Sequence, residues 1–174
     1  MIRLVRLARC TSGAAAAEMA LALPILLVLL FGSAEIGNYF MNEHILVKAV
    51  RDGARYAARQ DLTYFSGCSG APTGTVAADT KNVVMTGQVA GGTNRLRNWN
   101  ASTITVSTSC STTAGTTTLG GIYTGNKNSS GTLIGAPIVT VSATVPYSPI
   151  LQAFGFTGRG YNLNATQQAA VMGI

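Results

Sequence analysis

The feature that most constrains this chain is a nearly uninterrupted apolar run from Ala14 to Ala34, AAAAEMALALPILLVLLFGSA. As a helix, it has the roughly 20 residues needed to cross a hydrocarbon core of about 30 Å. The single charged residue in the run is Glu18. A carboxylate inside a membrane segment is costly and by default marks a function with a specific partner. The run therefore predicts a membrane-spanning helix that also contacts a specific partner through Glu18.

The segment before this run, residues 1–13, carries three arginines and no acidic residue. Arginines stay on the cytoplasmic side, so the chain beyond the helix is expected outside the cytoplasm. The small-residue site Ser12-Gly13-Ala14 lies at the start of the apolar run, whereas a conventional secretory signal has its cleavage site after the run. Cleavage after Gly13 would explain this order, and it would place Glu18 one helical turn from a new amino terminus at Ala14. A plain signal anchor that tolerates Glu18 near the interface is the alternative.

The net charge of +6, from 12 basic and 6 acidic residues, does not predict nucleic-acid binding. The arginines Arg3, Arg6 and Arg9 lie in the segment that cleavage would remove, which lowers the net charge to +3. The remaining basic residues are scattered, apart from one cluster between residues 51 and 59. A nucleic-acid surface would concentrate them on one face.

The cysteines give a second reason to expect cleavage. Cys10 lies in the leader, and its removal leaves Cys68 and Cys110 in surroundings rich in Gly, Ser and Thr. Outside the cytoplasm this pair is expected to form a disulfide. Closing that loop stabilises the fold by roughly 4 kcal/mol in the chain-entropy model. Two unpaired loop cysteines are the alternative.

The helix is predicted to continue beyond the apolar run as far as Gln60, because no proline occurs between Glu35 and Gln60. Apolar residues at steps of three, four and seven predict one buried face on this extension. They are Ile36, Phe40, Val47, Val50, Ala54 and Ala57. Asp52 and Arg55 have the spacing of a helical ion pair. Pro24 falls within the apolar run, where membrane helices tolerate proline.

Five elements, in order, resemble the TadE-like family of the tight adherence (Tad) pilus system, whose members carry a type IV prepilin-like leader. They are Gly13, Glu18, Pro24, Glu35 with Gly37, and Gly53-Ala54-Arg55-Tyr56-Ala57. Met19 stands where the family usually has an aromatic residue. The resemblance covers residues 12–60 and leaves the C-terminal part of the chain unmatched.

This resemblance implies a minor pilin or pseudopilin that assembles a Tad-type pilus. A prepilin peptidase would cut between Gly13 and Ala14 and methylate the new amine. The amine of a neighbouring subunit would neutralise Glu18, while Pro24 would allow local melting as the helix leaves lipid for a filament. The expected partners are the peptidase, other pilin or pseudopilin subunits and the inner-membrane assembly platform. The alternative is a non-polymerising single-pass adhesin or binding domain.

The same resemblance implies a location in the bacterial inner membrane, with the C-terminal domain extracytoplasmic in the periplasm. In a fibre the protein would be extracellular instead. Whether it enters the fibre or stays in the assembly machine is left open by the sequence.

The remainder of the chain is rich in Gly, Thr, Ser and Asn and contains three β-prone runs. The predicted strands are Ser102–Ser109, Pro137–Tyr147 and Tyr161–Met172. Asp79–Trp99 is predicted to be a helix broken at Gly91-Gly92, and Thr112–Gly131 a polar hairpin or loop. Four apolar residues before the last strand fit core packing better than an exposed tip. They are Pro146, Pro149, Phe154 and Phe156.

The predicted fold class is α+β, a long N-terminal helix with a small antiparallel sheet packed on its outer half. Four segments make up the predicted organisation. They are a leader (1–13), a transmembrane or filament-core helix (14–34), an amphipathic extension (35–60) and an extracytoplasmic β-rich head domain (61–174).

Residues that carry chemistry are scarce. His44 is the only histidine of the sequence, so a recurrent acid–base pair or a His-ligated cluster cannot be built. The spacing of Gly120 and Gly125 resembles a phosphate loop, but Asn126 stands where lysine is required. We therefore expect a protein that is not an enzyme, without a metal, cofactor or small-molecule substrate.

Overall fold

The computed structural model of the protein describes residues 11–114, 116–155 and 160–173. The greater part of the predicted leader, with its three arginines and Cys10, therefore lies outside the described residues.

The first described element is one helix, α1 (Thr11–Ala58), of 48 residues. At 1.5 Å per residue it is roughly 70 Å long. Its sequence is rich in Ala and Leu, which have high helix propensity, and the helix continues through Pro24. The prediction of one long helix is confirmed, although its end lies two residues before the predicted Gln60.

A three-stranded antiparallel sheet packs on the outer half of α1. The strands of the chain are β1 (Ile104–Ser111), β2 (Thr113–Ala114), β3 (Thr117–Thr118), β4 (Ala136–Pro146) and β5 (Asn162–Ala170). The main sheet has the order β1-β4-β5, and the short strands β2 and β3 pair with each other inside the predicted polar hairpin or loop. The α+β prediction is confirmed, with strand ends that differ from the predicted ones by one or two residues.

Alternation along the central strand explains why the sheet faces the helix. Val139, Val141, Ala143 and Val145 are buried, while the residues between them are half-buried or exposed. This is the period of two that one buried sheet face requires. Val141 pairs with Val106 of β1 on one side and with Gln167 of β5 on the other. The apolar face of this sheet and the outer half of α1 enclose the core.

The face of α1 that enters the core differs in part from the predicted one. The buried residues on this face are Leu46, Ala49, Val50, Gly53, Ala54, Ala57 and Ala58. Ile36, Phe40 and Val47 were predicted to share that face, but the structure leaves all three exposed. The steps of three, four and seven fit two adjacent faces, and the buried part of the helix begins only at Leu46.

A second helix, α2 (Val76–Thr86), packs against the outer part of α1. The predicted helix over Asp79–Trp99 was wrong in its extent, because the chain leaves the helix at Gly87 rather than at Gly91-Gly92. Gly87 takes a left-handed φ of 83° and its N–H bonds to the Val83 carbonyl, a glycine cap that ends the helix. Beyond this cap, Leu96 and Trp99 are buried from an irregular segment.

The loop between β4 and β5 does not follow the predicted core packing throughout. Pro146 is exposed and Pro149 is half-buried, whereas Leu151 of the same loop is buried. The Phe154 side chain and Phe156 lie outside the described residues.

Candidate membrane anchor and assembly site

The first half of α1 is exposed along its length. Its apolar window contains no buried residue, and Leu21, for example, is 76 % exposed. Among the described residues, this is the one helix that is long and apolar enough to cross a membrane by length and composition. An apolar surface this extended is typical of a segment that contacts lipid or another protein.

The predicted processing and assembly residues all lie on this exposed half. Gly13, Ala14, Glu18 and Pro24 are exposed, and a Cβ atom built at Gly13 would meet nothing within 4 Å. Ala14 and Glu18 are four residues apart and therefore lie on the same face of the helix. The residues on either side of the predicted cut and Glu18 are therefore exposed on one part of the helix.

The boundary between the exposed half and the head is fixed by Glu35, the first charged residue after the apolar run. Its carboxylate accepts hydrogen bonds from the Tyr147 hydroxyl and from the backbone N–H groups of Ile150 and Leu151, at 3.3 and 3.1 Å for the two amides. We refer to Glu35, Tyr147, Ile150 and Leu151 as the Glu35 clamp. It ties the loop that follows β4 to the helix at the point where the head begins.

Tyr147 is held from several sides within this clamp. The Asn38 amide donates to its hydroxyl at 2.9 Å, and the ring of Tyr39 packs edge-on against it at 5.2 Å between centroids. Burial and the hydrogen bond to Glu35 raise the pKa of Tyr147 to about 12. The tyrosine is therefore neutral, and its hydroxyl is available as a donor to the carboxylate, at all physiological pH values.

A second attachment joins α1 to α2 through Gly53. A Cβ atom at this position would overlap with Cγ2 of Val84, and it would lie 3.5 Å from the carbonyl oxygen of Thr80. Val84 is completely buried in the core cluster, so a shift of its side chain would have to displace core neighbours. Only glycine permits this approach of the two helices.

The acidic residue beside Gly53 forms an ion pair with a residue outside the helix. Asp52 Oδ2 lies 2.9 Å from Arg95 Nη1, which is the salt bridge seen in the described part of the chain. The predicted pairing of Asp52 with Arg55 is therefore replaced by a contact to the segment after α2. Both side chains are partly exposed, so this contact contributes less than about 1 kcal/mol.

A disulfide joins Cys68 and Cys110 within the head, as the cysteine count predicts. It joins the loop after α1 to β1, near the end of that strand. A backbone hydrogen bond from Thr108 to the Gly70 carbonyl, at 2.7 Å, lies beside it. The loop thus has both a covalent and a hydrogen-bonded attachment to the sheet.

The described residues contain no group of three or more His, Cys, Asp or Glu side chains that could hold a metal ion. His44 is exposed on α1. The described residues form a helix that is exposed over its first half and packed against the head over its second half.

A match to a known protein family covers most of α1. Residues 13–55 match the family of TadE-like proteins. The TadE-like segment contains Gly13, Glu18, Pro24, the Glu35 of the clamp and the close-packed Gly53. The predicted resemblance is therefore confirmed for this part of the 174-residue chain.

The chain beyond residue 55, which includes the predicted head domain (61–174), lies outside the TadE-like match. No curated protein and no solved structure matches the chain. The TadE-like segment together with its apolar helix fits a protein associated with a Tad pilus and located at a membrane.

The role of Glu35 within the TadE-like segment is one that sequence reasoning missed. Its partner Tyr147 is 112 residues away in the chain, so no local spacing links the two. The available signal was the position of Glu35, a charge directly after the apolar run and within the matched region.

Proposed function

We propose that this protein is a minor pilin or pseudopilin that serves as a structural subunit in the assembly of a Tad-type pilus. The observation that carries the proposal is the TadE-like match over residues 13–55, which coincides with an exposed apolar helix bearing Glu18 near its start. The role is structural and not enzymatic.

Maturation in this proposal is the hydrolysis of the peptide bond between Gly13 and Ala14 by a prepilin peptidase. The leader leaves with a new carboxylate at Gly13, and the mature chain begins with the amine of Ala14. Gly13 lies inside α1, so the first helical turn must unwind before the peptidase can reach the bond. A glycine lowers the cost of this unwinding by about 1 kcal/mol relative to alanine.

Glu18 sets the position of the subunit in the assembly. When apolar helices pack side by side, an unpaired carboxylate between them is strongly disfavoured. The amine at Ala14 of a neighbouring subunit supplies the opposite charge, and it can reach Glu18 in only one axial register. A mismatched register leaves both charges unpaired in an apolar environment.

The attachments of the head support this role, because a subunit must transmit the position of its helix to the exterior. The Glu35 clamp fixes the head near the end of the apolar segment, and Gly53 allows α2 to lie directly against α1. The head and helix therefore move as one body when neighbouring helices slide or rotate.

A pair of glycine variants tests the proposal in the host. Gly13→Ala should block maturation, and the protein should then be missing from sheared pili and from the assembly complex. Gly32→Ala is the matched control, because it lies in the same apolar helix and also has nothing within 4 Å of its added Cβ. Gly32→Ala should mature and assemble normally.

A carboxylate variant separates maturation from assembly. Glu18→Ala should be cleaved normally but should co-purify poorly with other pilus subunits. Normal assembly of Glu18→Ala would remove the proposed pairing of amine and carboxylate. Normal maturation and assembly of Gly13→Ala would instead favour an uncleaved, membrane-anchored binding domain.

A further inference from the structure

Two large side chains are exposed where the head meets the apolar half of α1. Ile150 is 62 % exposed and Tyr161 is 68 % exposed, although both lie beside well-packed parts of the head. We refer to Ile150 and Tyr161 as the head base. Exposed apolar side chains mark a contact surface where they extend a larger apolar patch, and this pair adjoins the exposed apolar half of α1.

Hydrogen bonds fix the height of the head base along α1. The Ile150 N–H lies 3.3 Å from a carboxylate oxygen of Glu35, which directly follows the apolar run. The Tyr147 N–H donates to the Tyr161 carbonyl at 3.0 Å, and the Tyr147 hydroxyl bonds to Glu35. Ile150 and Tyr161 are therefore held at the level where the apolar segment of the helix ends.

We propose that the head base is a lipid-contacting surface, seated in the interfacial layer of the membrane leaflet on the side of the head. This inference rests on the membrane insertion of α1 in the proposed function. If residues 14–34 fill the hydrocarbon core, Glu35 lies at its boundary, and the clamp carries Ile150 to the same depth. Tyrosine is enriched at this depth because its ring is apolar and its hydroxyl is polar.

Other side chains at the same level of α1 or in the adjoining cleft fit the same partner. Ile36 and Phe40 of α1, which the sequence predicted to be buried, are exposed immediately beyond Glu35. Arg97 lines the same cleft, of about 440 Å³, as Pro149 and Ile150, and the polar side chains of Asn38, Asn42, Ser148 and Gln152 line it as well. A cation beside apolar side chains suits a layer of phosphate groups over hydrocarbon, since the arginine stem is apolar and its head is charged.

The opposite end of the head provides an internal contrast. Ile122 is 58 % exposed, an exposure close to that of Ile150 in the head base. Its neighbour Tyr123 donates to the Val171 carbonyl at 2.7 Å, and the adjacent Met172 N–H donates to Ala58. Ala58 lies roughly 35 Å further along α1 than Glu35. Ile122 is therefore far from the membrane in the proposed orientation.

Tryptophan fluorescence in vesicles with brominated phospholipids tests this inference on the full-length chain. The variants are Ile150→Trp at the head base, Ile122→Trp as the matched exposed control and Leu23→Trp as a reporter of helix insertion. Each retains Trp99, whose quenching is measured separately on the unsubstituted protein. Vesicles carry bromine either near the headgroup or deep in the acyl chains.

The expected result is a loss of Ile150→Trp emission that is greatest with bromine near the headgroup. Leu23→Trp should be quenched most by deep bromine, and Ile122→Trp should match the unsubstituted protein. Quenching at Leu23→Trp without extra quenching at Ile150→Trp would overturn the lipid contact and leave the anchored helix intact. An absence of quenching at both positions would overturn the membrane insertion on which the proposed function also depends.

Discussion

Removal of the Glu35 carboxylate is the perturbation that most sharply tests how the head is held. Glu35→Ala deletes the acceptor of three hydrogen bonds, from the Tyr147 hydroxyl and from the N–H groups of Ile150 and Leu151. A hydrogen bond to a charged group contributes about 1.5–3 kcal/mol. Ile150 is exposed, so its N–H can bond to water. The Tyr147 hydroxyl lies 3.2 Å from the backbone carbonyl of Glu35, which the substitution leaves in place as an acceptor. Because these replacement bonds recover part of the lost energy, we expect the free energy of unfolding to fall by about 2–4 kcal/mol.

The assay is guanidinium unfolding of the full-length chain in detergent micelles, followed by the emission of Trp99. Trp99 is the only tryptophan of the sequence and is buried in the core, so its signal reports on the folded head. Glu18→Ala is the matched control, because it removes a carboxylate from the exposed half of the same helix and should leave the unfolding curve unchanged. In a double-mutant cycle, the double variant Glu35→Ala, Tyr147→Phe should lose less free energy of unfolding than the two single variants lose in sum. An unfolding curve for Glu35→Ala that overlays the unsubstituted protein would refute the clamp.

The same unfolding measurement checks three further predictions. Gly53→Ala should destabilise the head by about 1–3 kcal/mol, because the added Cβ overlaps with a buried helix contact. Gly37→Ala, which has open surroundings, should not destabilise it. Equal losses of stability in the two variants would contradict the close packing of α1 and α2 at Gly53. Replacement of Cys68 and Cys110 by serine should cost roughly 4 kcal/mol, and reductant should then have no additional effect. Folding raises the pKa of Tyr147 from 10.0 to about 12, so the unfolded chain releases this proton first as the pH rises. Stability present below pH 10 should therefore fall between pH 10 and about 12, and Tyr147→Phe should show a smaller fall over that window.

The parts of the fold that follow a local period were predictable from the sequence. The long helix shows in its uninterrupted apolar and alanine-rich residues, and β4 shows in the alternation from Ile138 to Val145. The disulfide followed from counting the cysteines that a cleaved leader would leave. Each of these features depends on neighbours in the chain or on a small set of candidates.

Features set by tertiary contacts were predicted less well. The steps between Ile36, Phe40 and Val47 suit a buried face, but only the arrival of the head decides where on α1 burial begins. Gly87, Gly91 and Gly92 all take a left-handed φ, so the end of α2 depended on which of them capped the helix, and Gly87 is the first to do so, through its bond to the Val83 carbonyl. Helical spacing cannot distinguish these outcomes.

The residues of the candidate site also fall into these two groups, those with a local sequence pattern and those placed by tertiary contacts. Gly13, Glu18 and Pro24 could be proposed from their order along one apolar run, and their functional roles remain predictions. The contact between Glu35 and Tyr147 could not be proposed, because it joins two residues 112 positions apart. A polar residue at the end of an apolar run is a signal for such a contact, but only the fold reveals its partner.

The most direct test of the pilin-like role is the intact mass, with N-terminal sequencing, of the protein recovered from the membranes of its host. We predict a mature chain that begins at Ala14, has lost residues 1–13 and retains the mass of an oxidised Cys68–Cys110 pair. A chain that still carries Met1 to Gly13 would contradict the proposed maturation and the assembly role built on it.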